Sequence, residues 1–302
     1  MPQILHLALL TALLTANGFD ISDALIPARD IYWGGVSKDG IQSIDQPKFV
    51  AATEADFLHD KDRVLGISRN GIAKSYPIRT LDRHEIVNDY FGDESVVVTY
   101  CPLCYSGMSF ALGADSVART FGVSGLLYNS DVLLYDRQTG SLWSQIMSRA
   151  VSGPLKGTEI TPIVTANTTW RDWRTRFPET LVLSNDTGFL SKWRSSPYEE
   201  YQRSRQLMFP VANRSNLYSN KERVLGVSVD GAHKAYAFKE LREHGEPSFA
   251  DSVNGADVML EWSGDDDYAR VIGENGKEIP SVIVYWFAWY AFHTDTEVYQ
   301  AE

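Results

Sequence analysis

The residues best suited to chemistry in this chain are its only two cysteines, Cys101 and Cys104, which close the string Val-Val-Val-Thr-Tyr-Cys-Pro-Leu-Cys. A β-branched run that ends in Cys-Pro-x-Cys predicts a strand delivering two thiols to one turn. Three kinds of chemistry fit that spacing. A reversible dithiol/disulfide is one, with one sulfur reacting and the other resolving. It lacks one support, because Tyr105-Ser106-Gly107 leads toward another strand and not into a helix N-terminus. A metal knuckle is the second. Two cysteines cannot make a four-thiolate site, so copper(I), or zinc with histidine or carboxylate help, would be the ion. The third is an inert structural disulfide in an oxidising compartment.

His84 is the expected partner of the thiols, either as a third metal ligand or as the base that tunes a thiolate. It opens the string His84-Glu85-Ile86-Val87-Asn88-Asp89, in which a continuous helix would place His84 above Asn88 and Glu85 above Asp89. Its counterpart His244 occurs without cysteines nearby, which also allows a purely helix-terminal role. Further along, Ser124, Tyr128, Asn129, Trp143 and Gln145 sit where apolar runs meet turns. They are candidates for holding a small polar ligand or for orienting the thiols. Asn and Asp capping of tight turns would give the same pattern. No GxGxxG, phosphate-loop or GxSxG pattern occurs.

With 28 Lys and Arg against 39 Asp and Glu, the 302-residue chain carries a formal charge of −11 and has no basic run. That excludes the electrostatic footprint of a nucleic-acid binder and disfavours anionic lipid surfaces. The expected partner is a small molecule or a thiol protein. Residues 1–18 read as a secretory signal: Ile4–Ala16 is apolar, too short to span a bilayer comfortably, and followed by small residues. The expectation is a secreted or periplasmic protein with no stable membrane anchor after signal removal.

The elements that must position these groups are mostly short strands. Residues 19–46 read as an irregular lead-in. Arg63–Ser68 and Ile72–Tyr76 flank Asn70-Gly71, the strongest two-residue hairpin signal. Pro77–Asn88 predicts a helix, and short strands joined by turn residues continue to Ile146. Trp170–Phe177 and Tyr285–Phe292 read as helices, the second apolar enough for the core. Arg63-Val64-Leu65-Gly66-x-Ser68-x-x-Gly71-x-x-Lys74-x-Tyr76 recurs at Arg223–Tyr236 at a constant offset of 160 (223 − 63). Trp170-x-x-Trp173 and Thr180 recur as Trp286-x-x-Trp289 and Thr296. The expected fold is therefore α+β and β-rich, with mainly antiparallel sheets and a few short helices. Two pseudo-repeated halves, 47–200 and 201–302, would pack as one unit, and only the first would carry the thiols.

The motifs His84–Asp89, Thr99–Cys104, Phe121–Ser130 and Ser141–Gln145 together resemble the DUF3179 family, over about residues 38–300. It is a family of exported proteins without an established function, some of whose members look like selenoproteins. The resemblance implies working sulfur chemistry, either redox or soft-metal binding, over an inert disulfide. It carries the family motif onto His84, Cys101, Cys104, Ser124, Tyr128, Asn129 and residues 141–145. Tyr105 departs from the pattern, since members commonly place glycine there.

Overall fold

The computed structural model describes residues 14–113, 119–188 and 196–301. Most of the expected signal, residues 1–13, lies outside the described residues, as do residues 117–118 of the expected strand before Ser124. Among the described residues, no helix is long and apolar enough to cross a membrane.

The chain is 43% strand and 14% helix, and its small, mainly antiparallel sheets are arranged as a five-bladed propeller. One blade is built from Ile86–Phe91, Glu94–Cys101, Ser106–Ala111 and Thr161–Ile163. A second has Arg63–Arg69 and Ile72–Pro77 at its centre, flanked by Ala166–Thr169 and Leu181–Leu183, with Phe49–Ala51 at its edge. A third takes Phe121–Tyr128, Asp131–Asp136, Leu142–Ser144 and Arg149–Ser152, with Ile31–Trp33 added from the lead-in segment. The last two blades come from residues 223–299. Turn chemistry sets the registers. Arg69 faces Ile72 across Asn70-Gly71, whose φ angles are 52° and 75°, and Tyr128 faces Asp131 across Asn129-Ser130 at 50° and 65°. One buried apolar cluster runs from Ile44 to Trp289 and joins residues of both expected halves.

The architecture is one of five blades. The sequence recurrence falls on two blades in each stretch. The hairpin Arg63–Pro77 and helix Ile78–His84 correspond to Arg223–Ala237 and Phe238–His244. In the first stretch the Phe121–Ser152 blade lies between Ala111 and Thr161, whereas in the second only a short link separates Gly273 from Glu278. The helix expected over Pro77–Asn88 is also shorter. It ends at His84, Glu85 turns left-handed at φ 57°, and Ile86–Phe91 pairs as a strand with Glu94–Cys101. The β-branched pair Ile86 and Val87 gains more from sheet burial than from another helical turn.

The corresponding units differ where Trp meets its neighbour. Trp173 packs on Phe177 with ring centroids 4.3 Å apart, and Trp289 packs on His293 at 4.2 Å. Burial and then the neighbouring His233 hold the His293 imidazole far below its usual range, at about 3, with Asp295 opposing. Folded His293 thus stays neutral while an unfolded chain takes up a proton below about pH 6.5. His293→Phe should gain stability relative to the parent as pH falls from 6.5 toward 3, by up to about 1.4 kcal/mol per pH unit. Urea titrations of both proteins across that range check this, and a pH-independent difference would refute it.

Candidate functional site

The Glu94–Cys101 strand lies between two partners in its blade, so Val96 to Cys101 are buried on both faces. Its ladder ends where Cys101 faces Ser106, and Pro102-Leu103-Cys104-Tyr105 makes the reversal. Tyr105 completes the turn at φ 60°, a conformation glycine adopts freely, and its ring is held 5.3 Å from that of Tyr285. The turn is pinned from outside the blade as well. Tyr285 N donates to Cys104 O at 2.9 Å, and Tyr201 of the Glu199–Arg203 helix donates its hydroxyl to Leu103 O at 3.0 Å.

This loop brings the two sulfurs near 4 Å apart without a bond between them. The third member of the group is Asp131, placed by the Asn129-Ser130 turn at the head of its strand. One ligand atom from each of Cys101, Cys104 and Asp131 lies within 4.8 Å of the others, and all three residues are buried. Ile146 N donates to Asp131 Oδ2 at 3.3 Å, and Ser106 Oγ lies 3.2 Å from Asp131 Oδ1. Ser106 Oγ donates to Gln145 Oε1 at 2.7 Å, and Gln145 Nε2 donates to Thr99 Oγ1 at 2.7 Å. Every member of that scaffold is hydrogen-bonded, which fixes the site's orientation.

The electrostatics are those of crowded acids. Burial raises the Asp131 carboxyl to about 7, despite the hydrogen bonds it accepts. Burial, and then the charges of Asp131 and Asp82, push Glu85 up to about 8. Burial lifts Asp82 to about 6. Both thiols are pushed up for the same first reason, Cys104 well above its usual range, while the Cys104 thiol partly offsets the rise at Cys101. Alone, the cluster holds its protons and offers little thiolate. A cation among these groups would exchange for the protons.

His84 is not in this cluster; Asp131 stands where the third ligand was expected. The His84 imidazole lies with Nδ1 2.6 Å from Gln42 O and Nε2 3.1 Å from Thr187 Oγ1. The helix ends at His84, the chain then turns left-handed and Asn88 and Asp89 lie on a strand, so neither His84 and Asn88 nor Glu85 and Asp89 share a helical face. Among the other expected ligand-holding residues, Gln145 reaches the site through Ser106 and Thr99. Ser124 braces a bulge by accepting from Leu126 N at 3.0 Å and donating to Leu133 O. Asn129 ties distant segments, accepting from Ala212 N at 2.8 Å and donating to Ala291 O at 3.2 Å. Trp143 donates to Asp136 Oδ2 at 2.9 Å, and Tyr128 lays its ring against Phe292. Ser124 and Trp143 brace their own blade, Asn129 and Tyr128 tie it to segments outside it, and none of the four is among the grouped ligand atoms. Reading the polar string alone missed Asp131. The signal was the Asn-Ser turn, which inverts the chain and sends the next side chain inward.

The profile of a family described as protein of unknown function (DUF3179) matches residues 38–296, nearly the whole chain. No curated protein and no solved structure matches it. The chain belongs to the DUF3179 family.

Proposed function

We propose that this DUF3179 protein binds one metal ion through the Cys101 and Cys104 thiolates and the Asp131 carboxylate. The observation that carries the reading is the mutual approach of those three buried ligand atoms within 4.8 Å. Two sulfurs and one oxygen suit zinc, a borderline ion that accepts both donor types; copper(I) would be held by the sulfurs alone. The ion would replace protons that the buried acids otherwise keep. Export, supported by the apolar stretch Ile4–Ala16, would expose free thiols to oxidation, and a bound ion would protect them.

Elemental analysis of protein purified reduced and anaerobically, with a thiol count on the same sample, tests this reading. About one zinc or copper per chain is expected, with both thiols shielded from alkylation. Cys101→Ser and Cys104→Ser should abolish binding. Asp131→Asn should weaken it at least about tenfold, while His84→Ala should leave the metal content unchanged. Substoichiometric metal after reconstitution, with two thiols free, would overturn the reading. A second reading, a redox dithiol, rests on the unbonded sulfurs near 4 Å apart. Loss and recovery of two thiols on mild oxidation and reduction, without metal, would favour it.

A further inference from the structure

A cleft of about 390 Å³ lies apart from the thiols, walled by Met108, Ile146 and Ile163 on one side and by Gly226, Val282 and Trp289 on the other. Its volume is that of a small-molecule site, and its lining is mostly apolar. Besides hydroxyls such as those of Ser109, Thr165 and Ser281, its polar groups include a pair of histidines on the Trp289 side. The His233 and His293 rings pack together, tilted by 34° with centroids 3.9 Å apart, and Ser228 Oγ lies 2.7 Å from His233 Nδ1.

The internal recurrence makes this pair informative. At the offset of 160, Ser228 corresponds to Ser68 and His233 to Ala73. The offset of 116 that relates Trp289 to Trp173 relates His293 to Phe177. Both helices end in nearly the same conformation, Phe177 at φ −133° and ψ 76° and His293 at −131° and 73°. The unit therefore folds with Ala and Phe at these places, and the paired imidazoles are not needed to build it. Ring nitrogens in a mostly apolar wall carry a desolvation cost that the other copy, with Ala73 and Phe177 at these places, avoids. Among the described residues, the His293 ring nitrogens meet no hydrogen-bond partner, and His233 meets one only at Nδ1.

We infer that this cleft binds a small monocarboxylic acid, with its apolar body against Met108, Ile146, Ile163 and Val282 and its carboxyl group at the His233–His293 pair. A carboxylic acid supplies what the pair lacks. Bound as the carboxylate, its two oxygens accept from a ring N–H of each histidine, with no proton changing hands. An alcohol offers a single acceptor oxygen to the two rings, and an amine offers a donor where acceptors are needed. This inference does not depend on metal binding at Cys101 and Cys104.

Calorimetric titration of the full chain with octanoate and with benzoate, followed in parallel by the histidine ring-proton resonances, tests it. One acid per chain is expected, with two histidine resonances moving on binding. The double variant His233→Ala/His293→Phe copies the other repeat. It should keep its thermal midpoint within a few degrees and lose affinity at least about tenfold, or ~1.4 kcal/mol. Three results would each overturn the inference: no binding at millimolar acid, equal binding by the double variant, or octanol binding as tightly as octanoate. Zinc shifting those two resonances where neither acid does would make the pair a metal site instead.

Discussion

Lys74→Met is expected to lower stability by about 3–5 kcal/mol, the cost of stranding a buried charge. Lys74 and Asp89 are 7% and 5% exposed. Lys74 Nζ lies 2.8 and 2.9 Å from the two Asp89 carboxylate oxygens and donates to Tyr90 O at 2.8 Å. The ammonium also sits 4.4 Å from the Phe49 ring centre and 4.9 Å from that of Phe91. Methionine replaces the volume but not the charge, leaving Asp89 with only the Tyr76 hydroxyl at 2.5 Å and the Tyr90 amide at 2.7 Å. Lys74→Met/Asp89→Leu should recover most of the loss, because it removes both charges. The second repeat supplies a control. Lys234 contacts Asp251 at 2.9 Å and Glu297 at 2.7 Å, but those carboxylates are 18% and 62% exposed. Water can take over for Lys234, so Lys234→Met should cost clearly less. Urea unfolding of the parent and the three variants measures all of this. A Lys74→Met cost below about 1 kcal/mol would show the pair to be dispensable. The effect should reach the Cys101–Cys104–Asp131 cluster too, since Asp89 lies on the strand paired with the one that ends at Cys101.

That ion pair also shows what the sequence could convey. Lys74 and Tyr76 recur as Lys234 and Tyr236, so a repeated hairpin was legible. Asp89, the group that answers Lys74, lies in a stretch whose local pattern reads as helix, one turn beyond Glu85. A local pattern cannot register that Ile86 and Val87 will pair with Thr99 and Val98. The blades were hidden for the same reason. Leu181–Leu183 adds in parallel beside Ile72–Pro77, and Phe49–Ala51 joins it from more than a hundred residues upstream. Neither contact leaves a trace in its own neighbourhood. At the site, the thiol turn was legible because both sulfurs come from one stretch. Asp131 was not, because its approach depends on two blades meeting. His84 was the nearer choice in sequence, and the helix end that carries it directs its ring to Gln42 and Thr187.

Gly66→Ala should destabilise the protein by about 3 kcal/mol or more, at the upper end for an overpacked core. A Cβ at Gly66 would fall 2.2 to 2.5 Å from three ring atoms of Trp173. The indole has no room to retreat. Its nitrogen donates to Thr180 Oγ1 at 2.9 Å, its face lies on Phe177, and the residue is 2% exposed. Gly226→Ala should behave alike, since its Cβ would lie 2.3 Å from Trp289. Gly71→Ala is the contrast. Its Cβ would meet nothing within 4 Å, and the penalty there is the left-handed φ of 75° alone, about 1 kcal/mol. Thermal and urea unfolding rank the three, and a Gly66→Ala loss no larger than that of Gly71→Ala would defeat the steric argument. A displaced Gly66 strand would also disturb the sulfur site by a short route. The neighbouring Leu65 side chain packs so closely on Gly107 that a Cβ there would come within 2.4 Å of it. Gly107 follows Ser106, the hydroxyl between Asp131 and Gln145. On the proposed metal site, Gly66→Ala protein that remains folded should therefore bind the ion more weakly than the parent, although Gly66 contributes no ligand atom.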